Sequence, residues 1–448
     1  MITNNNDNIT RALSALRTQT LDLHTYYDYY EGRHKLNFAS RKFRNKFGQR
    51  LQTLADNHCA PIIDATVNRL EIVNFYDPSK QIDSETLWAL WTRNEMPAYE
   101  RDLYREALRA GRAYLSVWMG QRGKAQIFIE DSRTIAEVYD QTDNLEFIAK
   151  RWISADLQRS FLNLYFPDRI ERYEAESAQL ESTFRPRAID PIIENPYRQI
   201  PFFKLVYAKG ASLLSHIIPL QDALNKQMCD LMVAGEYNSV RQRYATGLQL
   251  EIDEETNKPV IPFEYDEQLW ATSSDTARFG EFSDTALEQY IAAKRDVREE
   301  IAFITGIPLH YLNSDANAFP SGEALRRAEG RFIAMLQEVQ RKFSPPIGAA
   351  MRFAVLIDQK ASAAEISDGL YKTDRIEIEW QDGAPISLTE QLQQALIKKE
   401  LGIPLSKILE DLGYTDAEIQ NILSQKTAEE ATRVANAQQA FDAGVLIA

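Results

Sequence analysis

Residues 305–322 read Thr305-Gly306-Ile307-Pro308-Leu309-His310-Tyr311-Leu312-Asn313-Ser314-Asp315-Ala316-Asn317-Ala318-Phe319-Pro320-Ser321-Gly322, and this stretch decides the fold. Gly306 and Pro308 mark it as a Gly-Pro loop between two helices. Upstream, Leu287, Tyr290, Ile291, Val297, Ile301 and Ile304 give residues 283–305 the spacing of an amphipathic helix, with Ser283 as its N-cap. Downstream, a long helix is predicted from Ser321 to about Phe343, where Pro345-Pro346 interrupts it.

Residues 244–282 lose helical periodicity and read as short strands and turns. Glu251, Asp253, Glu254, Glu255, Glu264, Asp266 and Glu267 crowd its middle, where between Glu251 and Glu267 the single base is Lys258. A helix over 215–239 precedes it, with Pro219 tolerated in the first turn and Ile217, Leu220, Leu224, Met228 and Leu231 as its apolar stripe. The order is therefore helix, acidic strand-rich module, helix, loop, helix.

The N-terminal half differs. Residues 9–32 read as helix and end in Tyr26, Tyr27, Tyr29 and Tyr30. The stretch 33–50 then holds Arg33, Lys35, Arg41, Lys42, Arg44, Lys46 and Arg50 with no acid, a solvated face first and otherwise a contact for an acidic partner or nucleic acid. A helix over 84–110 is predicted to close at Gly111. Beyond it the period changes to that of strands at 113–118, 125–129, 133–139, 146–153, 161–166 and 169–173, with a loop over 183–203. Arg375 to Trp380 alternates like a strand, and from Ser387 the chain reads as helices broken at Gly402-Ile403-Pro404 and Gly413. The fold class is α+β.

A chain of 448 residues exceeds one ordinary core and should divide into two to four lobes. With 51 Lys plus Arg against 65 Asp plus Glu, the formal charge of −14 argues against tight wrapping of duplex DNA, which needs clustered cations. It leaves open a protein that DNA slides past. Cys59 and Cys229 stand far apart, so neither a disulfide framework nor a zinc site is expected. The polar, Asn-rich start and the lack of a run of about 18 apolar residues predict a soluble chain without a signal peptide or membrane span.

Catalytic signatures are missing. Gly123-Lys124 is followed by Ala125, not by the Ser or Thr of a phosphate-binding loop. His24, His34, His58, His216 and His310 are scattered, and neighbours such as His58-Cys59 usually point apart. Neither a cofactor nor a metal is predicted. Acids are plentiful enough that a carboxylate nuclease stays an alternative, although Asp253-Glu254-Glu255 reads first as a solvated turn.

The order of elements resembles the portal, or head-to-tail connector, proteins of tailed bacteriophages, in the siphophage-type family. Five fragments carry the likeness: Tyr26-Tyr27-x-x-Tyr30-x-Gly32-x-His34; Pro61-Ile62-Ile63-Asp64-Ala65-x-Val67-x-Arg69-Leu70; Gly111-Arg112-Ala113-Tyr114-Leu115; Ile217 through Lys226; and Ile304 through Leu312 with Pro320 through Leu325. The resemblance implies a non-enzymatic subunit of a ring, usually of about twelve copies, at one capsid vertex. It implies a wing over 1–214 with 344–384, a stem over 215–240 and 283–307, and a clip over 241–282. A tunnel loop would occupy 308–320, a tunnel helix 321–343 and a crown 385–448. Implied partners are terminase, major capsid and scaffolding proteins, head-completion or adaptor proteins, and double-stranded DNA passing without sequence readout, with no membrane. The implied location is the virion, and the host cytoplasm during assembly.

Asn313, Ser314, Asp315, Asn317 and Phe319 would then be the loop's DNA-facing residues, small and polar apart from Phe319. Lys294, Arg295 and Arg298, with Arg326 and Arg327, would face the channel or form i,i+4 pairs with acids such as Glu299. The seven clip acids would suit a basic partner. A minor capsid or adaptor protein is the alternative within head assembly.

Overall fold

In the computed structural model the described residues are 3–35, 56–120, 122–156, 158–180, 182–239, 243–247, 252–253, 258–259, 276–281, 286–312, 322–360, 376–383, 388–414 and 416–442. The chain forms two compact units, Met1–Gly383 and Ala384–Ala448.

The first unit begins with α1 (Thr3–Thr20) and α2 (Leu23–Tyr30), so the helix predicted over 9–32 is broken at Leu21-Asp22. After α3 (Cys59–Val67) and β1 (Ile72–Tyr76), the helix predicted over 84–110 is likewise two, α4 (Ser84–Arg93) and α5 (Met96–Ala110). Glu95 separates them in the left-handed region, φ 58°. Gly111 closes α5 with φ 79°, and a Cβ there would lie 2.2 Å from the carbonyl oxygen of Gly210. The predicted C-terminal cap is therefore also a point of close chain crossing.

Two sheets follow. β2 (Arg112–Met119) lies between β3 (Ala125–Glu130) and β10 (Phe202–Val206), both antiparallel to it. β4 (Ile135–Tyr139), β5 (Leu145–Ile153), β6 (Ser160–Tyr165), β7 (Arg169–Ala175) and β8 (Arg185–Pro186) form an antiparallel meander, and β9 (Ile192–Glu194) also pairs with β7. The loop predicted over 183–203 thus contains two short strands. α1 covers one face of the meander: Ile9, Ala12 and Leu16 are buried against Val138, Phe147, Leu162, Leu164 and Tyr173. The alternation of each strand puts those residues on one side.

α6 (Ile218–Ser239) packs along α7 (Glu288–Thr305). Between them lie β11 (Arg243–Thr246) paired with β14 (Arg278–Glu281), and β12 (Ile252–Asp253) paired with β13 (Lys258–Pro259). The N-cap of α7 is Leu287 rather than Ser283, and its side chain accepts no hydrogen bond.

The largest departure from expectation is α8, which runs from Gly322 to Asp358 straight through Pro345 and Pro346. A proline inside a helix costs about 3 kcal/mol through its missing N–H and its clash with the preceding turn. Packing outweighs that here. Phe343, Ile347, Ala350, Met351, Phe353 and Ala354 are all buried, each larger one contributing about 1.5–3 kcal/mol. This half of α8 lies on the β10–β2–β3 sheet. At Gly348 a Cβ would meet the carbonyl oxygen of Ile376 at 2.3 Å, so glycine lets the chain leading into β15 (Glu377–Trp380) cross the helix. β15 then pairs antiparallel with β1, as the alternation at 375–380 predicted.

The second unit holds α9 (Leu388–Glu400), α10 (Leu405–Asp411) and α11 (Asp416–Asp442), with the breaks where Gly402-Ile403-Pro404 and Gly413 place them. Ile408, Leu409 and Ile419 are its buried apolar side chains among the described residues.

Candidate functional site

The α6–α7 pair is tied to the N-terminal segment by a polar network. The Lys294 ammonium lies 2.5 Å from the Asp56 carboxylate, and the His58 ring lies 3.3 Å from it. Hydrogen bonding to His58 and Lys294 holds the Asp56 carboxyl well below the usual carboxylate range, against the opposing effect of burial. Gln221 of α6 donates to the Asp56 carbonyl at 2.6 Å and accepts from the His58 amide at 2.9 Å. One turn on, Asn225 contacts the His34 ring at 2.7 Å, and His34 stacks on Tyr29 at 4.1 Å. The Tyr29 hydroxyl donates to Asp222 at 2.6 Å. Burial pushes the neighbouring Cys59 thiol up to about 12, so the thiol stays protonated near neutral pH. His58 and Cys59 engage different partners, as expected of adjacent residues.

The three cations predicted on α7 therefore part ways. Lys294 is turned inward onto Asp56. Arg295 pairs with Glu299 at 3.8 Å, the i,i+4 alternative. Arg298 is half-buried. The helix buries Ile301, Ala302 and Thr305 but exposes Ile291, Ile304 and Phe303, the last at 69%. Arg331 of α8 lies 5.3 Å over the Phe303 ring, and Ile291 and Ile304 stay open to solvent on other sides of the helix.

Gly306 closes α7 with φ 73°, and the chain enters the deciding stretch. Ile307 and Leu312 are buried, and Leu309–Tyr311 form one tight turn. That turn is fastened from three sides. Arg69, just after α3, donates to the Tyr311 hydroxyl at 2.6 Å and to the Gly383 carbonyl at 2.9 Å. The Tyr311 hydroxyl donates in turn to Glu329 of α8 at 3.2 Å. Glu329 is 2% exposed and also faces Arg69 and the His310 ring, each at 3.7 Å. A buried carboxylate with a cation and a hydroxyl donor is paired as burial demands. Arg69 stood in one of the resemblance fragments, but Glu329 carried no sequence signal, since it reads as an ordinary acid on a helix.

Asn313, Ser314, Asp315, Asn317 and Phe319 lie outside the described residues. So do Glu251, Glu254, Glu255, Glu264, Asp266 and Glu267, and most of the basic run after Lys35. Arg326 and Arg327 fall in the first turns of α8, where side chains are outside the description. Asp253 lies opposite Lys258 in the register of the β12–β13 pair. Among the described residues there is no group of three potential metal ligands, and no helix is long and apolar enough to cross a membrane.

The profile of the family described as "Phage portal protein, SPP1 Gp6-like" matches residues 15–432. The chain is 22% identical to the portal protein of Mycobacterium phage D29 over 381 residues, 80% of this chain and 75% of that protein. It is 25% identical to the portal protein of Mycobacterium phage L5 over 204 residues, 44% of this chain and 40% of that one. Among solved structures it is similar to a chain in the virion of a native gene transfer agent particle. That match has TM-score 0.44 and 10% identity, and covers 90% of this chain and 93% of that one. A chain in the neck of the native particle, computed with C12 symmetry, matches at TM-score 0.40 and 12% identity, over 81% and 87%.

Proposed function

The chain belongs to the SPP1 Gp6-like family of phage portal proteins, and from that membership we propose how its parts divide the work of a portal. Copies assemble into a closed ring of about twelve around a central channel. The ring sits at one vertex of the capsid and passes double-stranded DNA inward during packaging and outward during ejection. Terminase docks first on the clip and head-completion proteins later, while capsid and scaffolding proteins surround the wing. Before incorporation the subunit is in the host cytoplasm.

The family match over 15–432 carries this reading. The exposed apolar side chains on α7 support it, because a helix that leaves Ile291, Phe303 and Ile304 in solvent suits burial against other copies. The inward turn of Lys294 fits a channel that must not hold its DNA: each phosphate-neutralising cation removed from the wall weakens and de-salts the interaction. The tunnel loop over 308–320 would face DNA, with Tyr311 held by Arg69 and Glu329. The protein performs no chemistry of its own.

Size-exclusion chromatography with light scattering, followed by negative-stain microscopy, tests the reading. A ring of about twelve copies with a central hole is expected; a chain that remains a monomer or dimer at every concentration overturns it. Plasmid incubated with the ring and magnesium should stay uncut.

A further inference from the structure

The meander sheet has α1 on one face only. The other face carries Trp152 and Phe161, rings 5.4 Å apart. Arg187 lies over both, 4.4 Å from the centroid of Phe161 and 5.5 Å from that of Trp152. Burial, and then the charge of Arg172, hold the Arg187 guanidinium below the ordinary arginine value. Neither arginine enters an ion pair among the described residues, and the buried Nε of Arg187 has no hydrogen-bond acceptor. Other arginines of the unit behave differently: Arg11, Arg93 and Arg169 each meet a carboxylate within 3 Å. Two residues after Arg187, Ile189 is 77% exposed.

The two guanidinium groups have only the longer-range charge of Glu174 near Arg187, and with the exposed Ile189 close by in sequence they call for an acidic, partly apolar occupant. Nucleic-acid bases are a poor fit, since Arg187 already covers the aromatic faces on which they would stack. What stays available is the edge of the guanidinium, which matches a carboxylate.

A surface of opposite character lies elsewhere on the same unit, between the α4–α5 bend and the outer edge of β3. It is a groove of about 600 Å³ lined in part by Glu95, Tyr99 and Phe128. Tyr99 and Phe128 are exposed apolar rings. Glu95 closes α4 in the left-handed region, its amide donating to the Thr92 carbonyl at 2.9 Å, while its side chain makes no cap hydrogen bond and its carboxylate has no ion pair among the described residues.

We propose that these two surfaces meet head to tail between neighbouring copies, the Arg172–Arg187 face of one chain receiving the Glu95 groove of the next. Charge complements charge, and Ile189 meets aromatic rings. Such a heterologous contact repeats around a ring and closes when the rotation closes. The inference rests on the ring reading above, and deepens it by naming the contact.

The test uses the full chain and follows assembly against concentration by light scattering, with thermal melts to verify folding. Arg187→Glu and Glu95→Arg should each raise the concentration for half-assembly on the order of tenfold or more, and the combined variant should recover most of the loss. Ile189→Asp, at a position that contributes nothing to the core, should weaken assembly as well. Folded Arg187→Glu and Ile189→Asp chains that assemble like the wild type overturn the inference. So does a combined variant no better than the single ones. A wild-type chain that never assembles defeats the ring reading itself, and is told apart because it needs no substitution.

Discussion

The Arg69 guanidinium and the Glu329 carboxylate stand 3.7 Å apart with the Tyr311 hydroxyl hydrogen-bonded to both, so three distant stretches of chain share one buried charge pair. Arg69→Ala leaves Glu329 buried without its cation. Loss of one partner from such a pair costs about 3–5 kcal/mol. Tyr311→Phe keeps the charges and removes two hydrogen bonds, at about 1–2 kcal/mol. Urea denaturation should rank the two in that order; equal effects would mean that the hydroxyl, not the charge pair, dominates.

Glu100 is 3% exposed, and burial first, then the charge of Glu71, raises its carboxyl to about 7. The unfolded chain ionises this group near pH 4.5 while the folded chain keeps the proton, so its contribution to stability falls as pH rises from about 4.5 to 7. Glu100→Gln should match the wild type at pH 4.5 and exceed it by roughly 1–3 kcal/mol at pH 8. Melting curves across that range read the divergence directly, and parallel profiles would show that Glu100 stays ionised in the fold.

Asp56 behaves with the opposite sign. Its folded carboxyl is held low by His58 and Lys294, so the stability it supplies is present above the unfolded value near pH 4 and lost as pH falls through the folded one. Lys294→Met should lower stability by about 1–2 kcal/mol at pH 7 and flatten the acid limb of the profile. An unchanged acid limb would assign the depression to His58 alone.

Gly348→Ala should be poorly tolerated, because the new methyl would sit 2.3 Å from the Ile376 carbonyl oxygen. Displacing β15 to make room costs about 1–3 kcal/mol. Gly330, whose Cβ position meets nothing within 4 Å, is the control on the same helix, and Gly330→Ala should be neutral or stabilising. Thermal melts of the two variants decide it.

How much of this was legible in the sequence depended on the range of the interaction. The alternation in 113–173, the Gly111 cap and the breaks at Gly402 and Gly413 are local, and the structure has them where periodicity and glycine put them. The break at Glu95 was missed because nothing in the side chain announces a left-handed residue. The passage of α8 through Pro345-Pro346 was missed for another reason: local propensity says stop, and a sheet contributed by residues 112–206 says continue. The candidate site divided in the same way. Lys294 and Arg295 were visible as cations on one helix, but only the fold could send one to Asp56 and the other to Glu299. Glu329 was invisible, since its partners Arg69 and Tyr311 come from elsewhere in the chain.

The unbroken α8 has a mechanical side. At 1.5 Å per residue its 37 residues span about 55 Å. Near one end it bears Glu329, the mount of the Leu309–Tyr311 turn; at the other, Asp358 grips Arg93 at 2.8 Å and the Ala125 amide at 2.7 Å. The tilt of the mount and the seating of the sheet are thus two ends of one lever. A push on the turn is felt at the β2–β3 hairpin unless the helix bends, and the proline pair, with two backbone hydrogen bonds already missing, is where it bends most cheaply.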